Sequence, residues 1–181
     1  MKRHAWLNDT EHRAAWIAFI QRLHPTVPAQ SVRLMDEIAF LGRALTLLGE
    51  QSLIESGMSF AQYRVLLHLF FAEQMHATPQ MNPSQISEMQ GVTRGTMSSL
   101  IRNLEEEGLV QRRLDPDDRR RFGISLTDEG RRMVTHHISD HLAMIERAFD
   151  TLSGDEQQTL VVLLGKLSQH LMGVKQAEAT A

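Results

Sequence analysis

Residues 82–127 read NPSQISEMQGVTRGTMSSLIRNLEEEGLVQRRLDPDDRRRFGISLT, and the order of start and stop signals within them decides the fold. Asn82 before Pro83 is an N-cap with proline at the first helical position, and Gln85 is placed to close a capping box. That short helix stops at Gly91. Thr93 caps the next one, whose Met97, Leu100, Ile101 and Leu104 fall on one face, and Gly108 ends it after Glu105, Glu106 and Glu107. The period then shortens. Leu109–Arg113 and Phe122–Leu126 are strand-like runs, the second placing Phe122, Ile124 and Leu126 on one face, with a charged tip from Leu114 to Arg121 between them.

Two helices joined by the tight turn Gly91-Val92 and followed by a hairpin make a winged helix-turn-helix. Upstream, Ser59 with Gln62 is a second capping box, followed by the apolar stripe Tyr63, Leu66, Leu67 and Phe70. Before it, Ser31 to Ser56 read as one long helix with a heptad-like seam, Leu34, Ile38, Leu41, Leu45 and Leu48, ended by Gly57. Residues 5–24 read as a further helix carrying Trp16, Phe19, Ile20 and Leu23, with Pro25 and Pro28 bracketing a linker. Downstream, Thr127 caps a long helix to about Asp150. Ser153 with Glu156 opens a last one through Leu160, Leu163, Leu164, Leu167 and Leu171, and the polar tail after Gly173 is expected to fray.

The expected fold is therefore mainly α with a small β-hairpin wing, a winged helix-turn-helix flanked by helices that form a dimerisation domain. Its expected divisions are an extra helix and linker (1–30), a first dimerisation helix (31–57) and the winged domain (58–127). C-terminal dimerisation helices (128–175) and a tail (176–181) complete it.

Composition agrees with a folded chain. Of 181 residues 42% are hydrophobic and 23% charged, which excludes disordered and collagenous classes. There is no cysteine, so no disulfide framework, thiol nucleophile or Cys-ligated zinc site is available. No apolar run reaches the roughly 18 residues of a membrane span, the N-terminus lacks a signal-peptide pattern, and a cytoplasmic location is expected. No Gly-rich phosphate loop, nucleophile elbow, HExxH or paired catalytic carboxylates are present, which argues against an enzyme, and no cofactor is implied.

The net charge of −3 does not itself suggest a nucleic-acid partner, but the basic residues are 16 Arg to 3 Lys. Arg makes forked contacts to phosphate and guanine. The polar side of the second helix carries Thr93, Arg94, Gly95, Thr96, Ser98, Ser99 and Arg102, short or forked groups that let a backbone approach the major groove. Arg119, Arg120 and Arg121 crowd the hairpin tip, with Arg112 and Arg113 at its root, suited to a narrow minor groove. Residues 94–121 nonetheless hold 7 Arg against 6 acids, so the patch is only locally positive, and the three glutamates are expected to point away from phosphate. His137 and His141 stand at i, i+4, a spacing two zinc ligands could use, but with His136 they equally form a polar helix face and no third ligand is evident. His68, among Leu66, Leu67, Leu69 and Phe70, reads as a core histidine with a pocket role as the alternative.

From Ser59 to Gly130 the chain resembles the MarR family of bacterial transcriptional regulators. The resemblance rests on Gln62-Tyr63-Arg64-Val65-Leu66, on Gly91 through Leu100, on Leu104-Glu105-Glu106-Glu107-Gly108-Leu109-Val110, on Asp117-Asp118-Arg119-Arg120, and on Ser125 through Gly130. It implies that Thr93–Glu107 is the recognition helix, that Arg120 enters the minor groove braced by Asp118, and that Arg119 and Arg121 contact phosphate. It implies too that first and last helices interlock in a homodimer, and that an effector binds between the long first helix and the one carrying Tyr63. Trp16, Arg43, Tyr63, Arg64 and His68 are the candidates for that effector site; two Arg and a His favour an anion, and Trp16 with Tyr63 suit an aromatic ring. The extra N-terminal helix with its Trp is similar to that of the urate-responsive branch, which has Asp where this chain has Arg64. The expected function is a homodimeric repressor of an inverted-repeat double-stranded DNA operator, released by an aromatic acid. A metal-responsive regulator of the same fold, or a non-specific architectural DNA binder, is the alternative.

Overall fold

The computed structural model describes residues 10–75, 80–114 and 122–178, with side chains through residue 173. Helix α1 (Thr10–Leu23) lies on α2 (Ala29–Ser52), fastened by one arginine. Arg13 Nε donates to Asp36 at 2.6 Å, its terminal nitrogen reaches Glu37 at 2.9 Å, and its guanidinium sits 4.5 Å from the centre of the Phe40 ring. Residues 5–9 of the expected first helix lie outside the described residues.

The long helix ends at Ser52, not at Ser56 as its periodicity suggests. Leu53 leaves helical geometry (φ −115°, ψ 8°) and is sealed in the core, while Ser52 and Ser56 turn their hydroxyls back onto the carbonyls of Gly49 and Leu53. Such local bonds compete with the helical ladder. A single 3-10 turn, Ile54–Ser56, follows, and Gly57 closes it in the left-handed region. Within α2, Gly49 admits the Phe60 ring, which stands 2.6 Å from where a Cβ would be.

Helices α3 (Phe60–Met75), α4 (Pro83–Gln90) and α5 (Arg94–Glu106) begin at the expected caps. Ser59 with Gln62 and Asn82 with Gln85 both form reciprocal capping boxes, and Thr93 accepts from the Thr96 backbone. Strand β1 (Val110–Leu114) pairs antiparallel with β2 (Phe122–Leu126), Val110 opposite Leu126 and Leu114 opposite Phe122. The first strand starts one residue later than its sequence suggests because Leu109 belongs to the helix cap. Its N–H reaches the Leu104 carbonyl and that of Gly108 reaches Glu105, the paired bonds of a Schellman end. Met81 adds a bridge to Ile124 on the other side of β2.

The core gathers Tyr63, Leu66 and Leu69 from α3, Ile86 from α4, Met97, Ile101 and Leu104 from α5, and Ile124 and Leu126 from the wing. Phe122 is not part of that face; it stays 37% exposed at the open end of the hairpin. Helix α6 (Asp128–Phe149) starts at Thr127, whose hydroxyl accepts from Gly130 N–H, and contributes Val134 to the core. Arg131 ties it down: two of its nitrogens reach the two Glu73 oxygens of α3, each at 2.9 Å, and a third reaches Asp128 at 2.7 Å.

The chain divides into two compact units after His137, within α6. In the second, Ser153 and Glu156 form the expected capping box for α7 (Gly154–Glu178). This helix runs unbroken past Gly173 to Glu178, so residues 176–178 are helical where a frayed tail is expected. A glycine inside a helix costs only about 1 kcal/mol against alanine, and Lys175, Ala177 and Glu178 are good helix formers. No helix among the described residues is long and apolar enough to cross a membrane.

Candidate nucleic-acid interface

The turn between α4 and α5 sets the interface. Gly91 takes φ 67°, and its N–H together with that of Val92 closes the end of α4 on Ser87 and Glu88, so α5 crosses the shorter helix within two residues. Burial of Met97, Ile101 and Leu104 then fixes the rotation of α5 and turns Thr93, Arg94, Gly95, Thr96, Ser98, Ser99 and Arg102 to solvent together. A Cβ on Gly95 would meet only the Thr93 hydroxyl, at 3.9 Å. Packing therefore does not require glycine there, and its absent side chain leaves room for something outside the chain to approach the backbone. The Thr93 and Thr96 hydroxyls lie 2.9 Å apart, and Ser99 Oγ donates to the Gly95 carbonyl, so these groups are held in place and keep acceptor capacity.

The three glutamates at the far end of α5 are occupied. Glu105 accepts from Arg112 Nε at 2.8 Å, Glu107 accepts from Gln62 at 3.2 Å, and Glu106 stands 4.0 Å from Arg102, a turn away on the same helix. Sequence reasoning expected these acids only to point away from phosphate; Arg112 and Arg102 offset two of the three charges, while Gln62, being neutral, fixes Glu107 without cancelling its charge. Arg112, expected as a DNA contact, also lies over the Phe122 ring at 5.0 Å. Arg113 is exposed on β1. Asp118, Arg119, Arg120 and Arg121 lie outside the described residues.

The candidate effector residues come from three helices. Trp16 is half-exposed and packs on Phe19 within α1, ring centres 5.9 Å apart. Arg43 is exposed on α2. Arg64 and His68 sit one turn apart on α3, both partly buried. Burial first, and the Arg64 charge second, push the His68 imidazole below its ordinary pKa. Tyr63 is fully buried, its ring meeting His137 edge-on at 6.3 Å.

That contact leads to a feature sequence reasoning missed. His137 is 8% exposed and its Nδ1 is buried with no hydrogen-bond partner. It borders a cleft of about 650 Å³ between the 3-10 turn (Glu55, Ser56) and the first three turns of α6 (Glu129, Arg132, Met133, His136). The i, i+4 pairing of His137 with His141 drew attention to a metal, whereas the face His137 shares with Tyr63 is visible only in the fold. Among the described residues no cluster of three His, Asp or Glu side chains could hold a metal ion.

Residues 56–121 match a family model described as the MarR family. YkoM of Bacillus subtilis, an HTH-type transcriptional regulator, is 32% identical over 146 residues, covering 77% of this chain and 91% of YkoM. YetL of the same organism, an HTH-type transcriptional repressor, is 24% identical over 148 residues, 82% of this chain and 86% of YetL. Among solved structures, the S. aureus MepR–DNA complex superposes with a TM-score of 0.66 at 25% identity, covering 74% of this chain and 94% of MepR.

Proposed function

Because the chain belongs to the MarR family of winged helix-turn-helix, DNA-binding transcriptional regulators, we propose that it is a homodimeric repressor that leaves an inverted-repeat operator when an aromatic acid binds. The observation that carries the DNA reading is the unforced polar face of α5, from Thr93 to Arg102, standing exposed beside an Arg-rich hairpin. Thr93, Arg94, Thr96, Ser98, Ser99 and Arg102 are assigned to the major groove, Arg113 and Arg119 to phosphate, and Arg120 to the minor groove. A repressive action is favoured by the name of the relative YetL.

Two apolar surfaces support assembly. Leu34, Met35, Ile38 and Leu41 are exposed on α2, and Leu163, Leu164, Leu167 and Leu171 are exposed on α7. Contiguous patches of this kind mark interaction sites on folded proteins. A second copy of the chain, meeting the same stripes by two-fold symmetry, covers both. For the effector, Arg43, Arg64 and His68 are assigned to its anionic group.

The test is a duplex selected by the wild-type protein from a random pool. It should contain an inverted repeat with half-sites about 10 bp apart. Arg120→Ala should weaken binding to it by about 1–3 kcal/mol while leaving random duplex unchanged. A benzoate-like acid should lower affinity for the selected duplex, and that duplex should lower affinity for the acid by the same factor. Equal binding of selected and random duplexes would favour the architectural alternative. A folded monomer at micromolar concentration would refute the dimer.

A further inference from the structure

The core reaches only the root of the wing. Val110, Ile124 and Leu126 are sealed, whereas Arg112, across from Ile124, and Arg113, Leu114 and Phe122, farther out along the hairpin, are exposed. A two-stranded ribbon is marginal in water by itself, so the angle of its outer half must be held from outside. Arg112 bridges the gap. Its Nε donates to Glu105 Oε2 at 2.8 Å, and its guanidinium lies 5.0 Å from the centre of the Phe122 ring. Glu105 lies in the last turn of α5, Arg112 is on β1 and Phe122 on β2, so one side chain joins the recognition helix to both strands.

We infer that Arg112 is a positioning residue that sets the wing against α5, with Glu105 as its anchor, and that neither acts on DNA directly. The inference rests on reading α5 and the wing as the DNA surface. Two bland alternatives make opposite forecasts. Were Arg112 a phosphate ligand, Lys would substitute well, because a phosphate accepts a point charge; a brace that stacks on an aromatic face and fills a fork geometry needs the planar guanidinium. Were Glu105 a solvated acid near DNA, its neutralisation would tighten binding to every sequence; an anchor, once neutralised, loses its hold on the wing and specific binding falls.

The experiment measures affinity of Arg112→Lys, Arg112→Gln, Glu105→Gln and the double Gln variant for the wild-type-selected duplex and for random duplex, each across a salt series. The brace predicts a loss of about threefold to fivefold on the selected duplex for each single variant, the upper end of what an exposed ion pair supplies. It predicts little further loss in the double variant, and a salt slope equal to that of the wild type. Unfolding midpoints should hardly move, because the pair is exposed. The proposal is overturned if Arg112→Lys binds like the wild type while Arg112→Gln lowers the salt slope by about 0.9, one phosphate's share. Tighter binding by Glu105→Gln, or no change in any variant, overturns it equally. A wild type that shows no preference for its selected duplex rejects the interface reading itself, and the brace with it.

Discussion

Gly130→Ala probes the joint between the wing and the helix that follows. Gly130 is the third residue of α6, directly beneath the Leu109 carbonyl. A Cβ there would fall onto the Leu109 oxygen, with the Leu109 carbonyl carbon and Leu126 Cδ2 each only 3.1 Å away. The oxygen is backbone and cannot swing aside. It also accepts from Thr127 N–H at 3.1 Å, so displacing it strains that bond; the Thr127 hydroxyl donates its one proton to the Gly108 carbonyl at 2.7 Å. The gain is the helix preference of Ala over Gly, about 1 kcal/mol. Against it stand one hydrogen bond at about 1 kcal/mol, and about 1–3 kcal/mol for a methyl group forced into a packed site. The net expectation is a loss of about 1–3 kcal/mol. Urea denaturation at fixed protomer concentration measures it, with Gly165→Ala as the control, since a Cβ at Gly165 meets nothing within 4 Å and should add stability. If Gly130→Ala matches or exceeds the wild type, the close approach is not a constraint and the argument fails.

Arg131→Met should leave the Glu73 carboxylate, 8% exposed, without its partner. The expected cost is about 1–3 kcal/mol, less than for a fully buried pair because Arg131 is 39% exposed and partly screened. Adding Glu73→Leu should recover most of it; a double variant no better than the single would show that the pair is not coupled. The His68 imidazole is pushed down in the folded state by burial and by Arg64, so the unfolded chain takes up the proton first. Its contribution is intact above the unfolded value of about 6.5 and is lost as pH falls from there through the folded pKa. His68→Gln should flatten the stability profile in that window, and an unchanged profile would rule out His68 as a source.

The winged helix-turn-helix was legible because its signals are local. Asn82 with Gln85, Thr93, Gly91 and Gly108 act through hydrogen bonds and backbone angles within four or five residues, and Met97, Ile101 and Leu104 disclose a buried face by spacing alone. The same spacing left the other face, from Arg94 to Arg102, as the candidate interface. Where a local signal competed with a tertiary one, the reading slipped by a few residues. Leu53 is drawn into the core and ends α2 early, and Leu109 is taken into the Schellman end and shortens β1.

What the chain alone could not disclose lies in pairs that no periodicity links. Glu73 and Arg131 are 58 residues apart, and Arg13 meets Asp36 across 23; each ion pair exists only because two helices pack. Composition counted the acids of α5 against the arginines, but only the fold pairs Glu105 with Arg112 and Glu107 with Gln62. Tyr63 and His137 likewise meet only when α6 returns over α3, which changes a tyrosine that looked available for stacking into one sealed behind a histidine. Local backbone chemistry determines which elements form and which face each must bury. Which charges cancel and which side chains border the same space depends on packing between elements, and that is set by the shape of the whole core.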